Sequence, residues 1–143
     1  MHVVLGRTFD GGVFPSVLDG FDASAGRLHL GPPGFLGKLE QALGIPTSPI
    51  HEPVRVAEYS KRLAAHDDGK QFYSASRRAD PWRVARKLLS LRDELLSAGW
   101  NGKLPANGSG RLKAFAELEE LSQEHSLAPG APERILKVME RVK

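Results

Sequence analysis

Residues 80–100, DPWRVARKLLSLRDELLSAGW, constrain the fold more than any other stretch, because both ends of a helix are written into them. Asp80 is a good acceptor for the free N–H groups of a first turn, and Pro81 suits the first helical position, where a missing N–H costs nothing. Val84, Leu88, Leu91, Leu95 and Ala98 recur at helical spacing and form one stripe, widened by Ala85, Leu89 and Leu96. Gly99 can take the left-handed conformation that stops a helix, with Trp100 folding back on the last turn. The spacing therefore predicts a helix over 81–98 that buries one face. Trp82 and Trp100 are chemically able to stack on bases, but helical spacing predicts core packing for both.

The same reasoning predicts helices over 33–43 (Phe35, Leu36, Leu39, Leu43, closed by Gly44) and from Pro53 to about His66 (Val56, Tyr59, Leu63, Ala64). It predicts a short helix over 70–78 carrying Phe72 and Tyr73. Two more are expected over 110–125 (Leu112, Phe115, Leu118, Leu121) and 131–142 (Ile135, Val138, Met139, Val142, opened by Pro132). IPTSPIHEP reads as an ordered loop, and NGKLPANGSG as a flexible linker by composition. His2–Leu5 and Arg27–Leu30 are short glycine-bounded runs that read as two strands, expected to be parallel. Between them, 11–26 reads as a loop with scattered Phe14, Val17, Leu18 and Phe21. The fold class is α/β, mostly helical: two short parallel strands packed with five to six helices.

The 143 residues fit one domain or a fragment, with a Gly- and Pro-rich part over 1–50 and a helical part over 51–143. The last helix runs to the C-terminus without a stop signal, which reads as a segment of a longer chain. Hydrophobic residues make up 41% and charged residues 26%, enough apolar matter for a core. The net charge of +3 permits contact with a polyanion without demanding it. No cysteine is present, so disulfides and thiolate metal sites are excluded. With no signal-peptide pattern and no apolar run of membrane-spanning length, a cytoplasmic protein with no membrane partner is expected.

VLGRTFDGGV, residues 4–13, raises the question of a phosphate loop. Gly6 and Gly11 have the spacing of G-x-x-x-x-G-K-[ST], but Gly12 and Val13 stand where the lysine and hydroxyl should be. NTP hydrolysis is not expected, and no cofactor is. Asp68-Gly69-Lys70 formally matches the end of a metal-dependent nuclease motif, yet it falls in a polar turn with no second carboxylate strand beside it. His2, His29, His51, His66 and His125 show no paired metal-ligand spacing, and no serine sits in a nucleophile elbow. No catalytic or metal-binding residue is assigned.

RRADPWRVARK is the best binding candidate. Arg77, Arg78, Arg83, Arg86 and Lys87 face only one acid within the stretch, Asp80. Arg83, Arg86 and Lys87 share the side of the helix opposite Val84 and Leu88. Clustered Arg and Lys can neutralise phosphates. The competing reading is a solvated helix face.

Taken in order, LGRTFDGG, LGPPGFLGKLEQALGI, RVAEYSKRL, FYSASRRADPWRVARKLLSLRDELLSAGWNG and RLKAFAELEEL resemble the N-terminal region of bacterial PD-(D/E)XK nuclease family proteins. These are AddB-like and RecB-like helicase–nucleases of double-strand-break repair. The most specific piece is Asp80-Pro81-Trp82 through Arg92-Asp93-Glu94-Leu95 to Ala98-Gly99-Trp100. The likeness covers nearly the whole chain but only the start of such a protein. It implies the opening of a helicase-like α/β domain with a helical insertion, a degenerate phosphate loop, and nuclease carboxylates beyond residue 143. The implied function is a non-catalytic scaffold or DNA-contacting module, with DNA and the rest of a helicase–nuclease chain or a helicase subunit as partners. The alternative is a protein–protein interaction module without nucleic-acid binding.

Overall fold

The computed structural model describes residues 2–7, 9, 26–46 and 51–143. The chain divides into two compact units, residues 1–48 together with 134–143, and residues 49–133. The boundary near residue 50 follows the change in composition, while the end of the chain joins the N-terminal unit.

In the first unit, β1 (His2–Leu5) and β2 (Arg27–Leu30) pair in parallel, His2 opposite Arg27 and Leu5 opposite Leu30. Bonds from His2 N to Gly26 O (2.8 Å) and Gly6 N to Leu30 O (3.1 Å) close the two ends of the ladder. Val3, Val4 and Leu5 remain exposed. β2 runs through Gly31 into α1 (Pro32–Ala42), where proline at the first position sets the helical φ. α1 ends at Leu43 and Gly44, the glycine at φ +64°. Leu36 and Ile45 form a small core with Val138 of the last helix, α6 (Ala131–Val142), and Leu39 and Leu43 pack against it. Beside that core, Arg134 grips the buried Glu40 with both prongs, Nε to Oε1 at 2.8 Å and Nη2 to Oε2 at 2.6 Å.

The second unit is helical: α2 (Glu52–His66), α3 (Ser74–Ala79), α4 (Pro81–Ser97) and α5 (Gly110–Glu120), followed by a 3-10 turn over Leu121–Gln123. Val56, Tyr59 and Leu63 of α2, Ala85, Leu88 and Leu89 of α4, and Phe115 and Leu118 of α5 make one core with Tyr73. Asp80 caps α4 as expected, its carboxylate accepting from Arg83 N at 2.9 Å. At the other end Gly99 has φ +93°, and the bonds Gly99 N to Leu96 O and Trp100 N to Leu95 O close the helix in a Schellman arrangement.

Three expectations are corrected. Phe72 and Tyr73 lie in a turn before α3, not in the helix. The Asp67 carboxylate takes Gly69 N (3.0 Å) and Ser74 Oγ (2.5 Å), so 67–74 wraps around it and the helix starts only at Ser74. The 101–110 stretch is a tied turn rather than a linker: Trp100 Nε1 donates to Lys103 O (2.7 Å), and Ser109 caps α5 through Leu112 N (3.3 Å). The buried stripe of α4 is also turned relative to the expected one. Leu91 is 41% exposed, and Arg92, 5% exposed, takes the inward position.

Candidate nucleic-acid interface

The cap at Asp80 and the inward stripe Ala85, Leu88, Leu89 decide which side chains of α4 reach solvent. Trp82, Arg83, Arg86, Lys87 and Ser90 are all exposed. Arg83, with its side chain 81% exposed, approaches Asp80 at 3.4 Å. Arg86 reaches Glu52 at the start of α2, Nε to Oε1 at 2.9 Å, with both side chains largely exposed. Glu52 is an acid that the local sequence did not offer, since it lies 34 positions away. Exposed pairs of this kind are worth about 0–1 kcal/mol, so both guanidinium groups can exchange their partner for a phosphate at small cost. Arg78, at the end of α3, and Lys87 are exposed and have no ion pair among the described residues.

Arg77 belongs elsewhere. Its Nη1 binds Asp67 at 2.9 Å, and the Asp67 side chain is only 8% exposed. Hydrogen bonds from Ser74, Gly69 and Arg77 hold the Asp67 carboxyl below its ordinary range against the opposing effect of burial. Arg77 fixes the turn from which α3 and α4 spring. Of the five expected cations, four therefore face solvent at one corner and the fifth anchors that corner.

The two tryptophans separate. Trp100 packs on the core, edge-on to Phe115, as the periodicity predicts. Trp82 does not: it is 48% exposed in the first turn of α4, among the cations.

Sequence reasoning missed three buried arginines. Arg92 binds Glu119 through Nε (2.7 Å) and Nη2 (2.9 Å), Glu133 through Nη1 (2.5 Å) and Asp93 through Nη1 (3.1 Å). Arg55 takes Asp93 in a fork (2.6 and 3.0 Å) and the carbonyl of Ala128 (2.9 Å). Arg62 donates twice to His125 O and once to Glu119. Burial lowers the Arg62 pKa, while on Arg92 the Glu119 and Glu133 carboxylates outweigh burial and raise it. Their signal in the sequence was a cation standing on the apolar face of a helix: Arg62 beside Tyr59 and Leu63, Arg92 beside Leu88 and Leu89. The network binds the 125–133 segment to α2, α4 and α5 and is structural.

A second polar chain links Glu117 Oε2 to His66 Nε2 (3.1 Å) and His66 Nδ1 to the Tyr73 hydroxyl (2.7 Å). The order carboxylate, imidazole, hydroxyl is that of a nucleophile relay. Here the hydroxyl belongs to a residue 2% exposed, and burial raises its pKa. Asp68-Gly69-Lys70 is an exposed turn, with Asp68 Oδ1 taking Lys70 N at 2.9 Å. No cluster of three or more metal-ligating side chains occurs among the described residues. Of the phosphate-loop positions, Gly11, Gly12 and Val13 lie outside the described residues. Gly6 is explained by packing, since a Cβ there would stand 2.7 Å from the Phe9 ring. An open pocket of about 410 Å³ at the carboxyl ends of the strands is lined by Leu5, Gly6, Arg7, Leu30, Pro32 and Phe35, with Arg7 the one charged group among the described residues.

No helix among the described residues is long and apolar enough to cross a membrane. No family model, curated protein or solved structure matches the chain.

Proposed function

We propose that the chain is a nucleic-acid-contacting module, with Arg78, Arg83, Arg86 and Lys87 meeting phosphates. The observation that supports this reading is the placement of these four exposed cations at the α3–α4 corner, two of them without an ion pair among the described residues and two in exchangeable surface pairs. The nearby acids are Asp80, occupied as a cap, and Glu52. The resemblance to helicase–nucleases makes DNA the polyanion to test first and implies a role without catalysis of its own.

The test is fluorescence anisotropy of the full chain with labelled single-stranded and duplex DNA over a salt series. Log affinity should fall linearly with log salt, with a slope of roughly −0.7 to −0.9 per phosphate neutralised. Arg83→Ala/Arg86→Ala/Lys87→Ala should flatten that slope by about 2 to 3. These side chains are exposed, so circular dichroism should show the variant folded. Absence of binding at low salt overturns the reading.

The α6 face favours a second reading, docking on protein without nucleic acid. Ile135, Leu136, Met139 and Val142 are 45%, 48%, 54% and 69% exposed. A chain that binds no DNA but self-associates through these residues, and stops doing so as Met139→Glu, would support it.

A further inference from the structure

We propose that Trp82 is a stacking platform for an unpaired base, so that the α3–α4 corner takes single-stranded nucleic acid in preference to duplex. The inference rests on the reading of Arg78, Arg83, Arg86 and Lys87 as phosphate contacts and adds what they hold.

Trp82 stands where its chemistry does not predict it. A tryptophan carries a large apolar surface, and the pattern of α4 offers a buried stripe beside it. The helix nevertheless turns Ala85, Leu88 and Leu89 inward and leaves Trp82 48% exposed. Its ring makes no aromatic contact and its indole N–H no hydrogen bond among the described residues. The comparison with Phe72 is direct. Phe72 is the other exposed aromatic ring among the described residues, at 45%, but the Arg111 guanidinium lies 5.7 Å from its centroid, edge-on Tyr73 is 5.2 Å away and Phe115 is 6.4 Å away. Phe72 is already partnered by a cation and two rings. Trp82 is not.

The cations are set for the same ligand. Arg86 is four residues on from Trp82 and so lies on the same side of α4, about 6 Å along the axis. Arg83 follows Trp82 directly, and Arg78 precedes it across the capped turn. A strand whose phosphates lie along Arg86 and Arg83 has its bases within reach of the indole. Only an unpaired base can offer its face, because in a duplex each base is stacked between its neighbours. Base–aromatic stacking is indifferent to sequence, so a broad preference for single strands is expected rather than a motif.

The experiment compares oligothymidylate with a duplex carrying the same number of phosphates, bound by the wild-type chain and by Trp82→Ala and Trp82→Phe. The wild type should bind the single strand more tightly. Trp82→Ala should weaken the single strand about 5- to 100-fold while leaving duplex affinity and the salt slope unchanged, and Trp82→Phe should recover most of the loss. If Trp82→Ala binds the single strand within twofold of the wild type, with the salt slope intact, stacking is overturned and the phosphate reading stands. Equal weakening of single strand and duplex overturns it as well. If the wild type binds neither at low salt, both readings fall together.

Discussion

Replacing Arg92 with methionine removes one charge from the centre of the helical unit and takes a partner from three carboxylates, of which Asp93 keeps the Arg55 fork. Among the described residues Glu119 keeps only Arg62 Nη1 at 3.3 Å, and Glu133 keeps Gly130 N at 2.9 Å and a distant Arg55 at 4.0 Å. The side chains of Arg92, Glu119 and Glu133 are 6%, 17% and 28% exposed, so water cannot replace the lost partner cheaply. Breaking a buried pair from one side costs about 3–5 kcal/mol. For a unit of this size each kcal/mol moves Tm by about 4–8 °C, so a fall of at least 12 °C is expected. Both tryptophans lie in residues 49–133, so their emission follows this unit alone. Thermal unfolding read by that emission is therefore the assay. Arg92→Lys should not rescue, because an ammonium cannot hold both Glu119 oxygens and Glu133 in one plane. Combining Arg92→Met with Glu119→Gln should cost less than the sum of the single losses by about 1 kcal/mol or more. A single variant within about 1 kcal/mol of wild type, or strict additivity, would refute the claim that these charges depend on one another.

Gly130→Ala should destabilise the same unit by about 1–3 kcal/mol in urea, since its Cβ would stand 2.4–2.7 Å from the Arg55 guanidinium and push it off Asp93. Gly99→Ala should cost about 1–2 kcal/mol, because φ at that position is +93°. Acid should act on the other unit through Glu40, whose carboxyl is held below its ordinary range by the Arg134 hydrogen bonds, with burial opposing. Its stabilisation is full above the unfolded carboxylate pKa and is lost as pH falls through the lower folded value. Far-UV dichroism between about pH 5 and pH 3 should show a shallower loss of stability for Glu40→Gln than for wild type.

Local punctuation made much of the fold legible. Asp80, Pro81 and Gly99 mark the ends of α4 to within a residue, and short apolar-containing runs that end at Gly6 or lie between Gly26 and Gly31 mark both strands. What escaped depended on distant partners. Arg92 stands on the apolar face with no reason visible nearby until Glu119 and Glu133, 27 and 41 positions on, are brought beside it. Asp67 and Glu52 were equally invisible as counter-charges to Arg77 and Arg86. Trp82 failed for another reason. Periodicity says which residues share a face, but a stripe several residues wide can be rotated, and here Ala85, Leu88, Leu89 and Arg92 are the residues turned inward.

The placement of Val138 and Arg134 against α1 bears on how the chain is made. On a ribosome the helical unit has all its residues once position 133 emerges, and it can close on itself. The strands and α1, made before it, cannot complete their core: Leu36 and Ile45 lack Val138, and Glu40 lacks its cation, until 134–143 arrives. These strands and α1 then complete their core later than the helical unit made after them, with Val3, Val4 and Leu5 accessible meanwhile. A chain cut after residue 133 should present a protease-resistant 49–133 unit and a protease-sensitive segment before it.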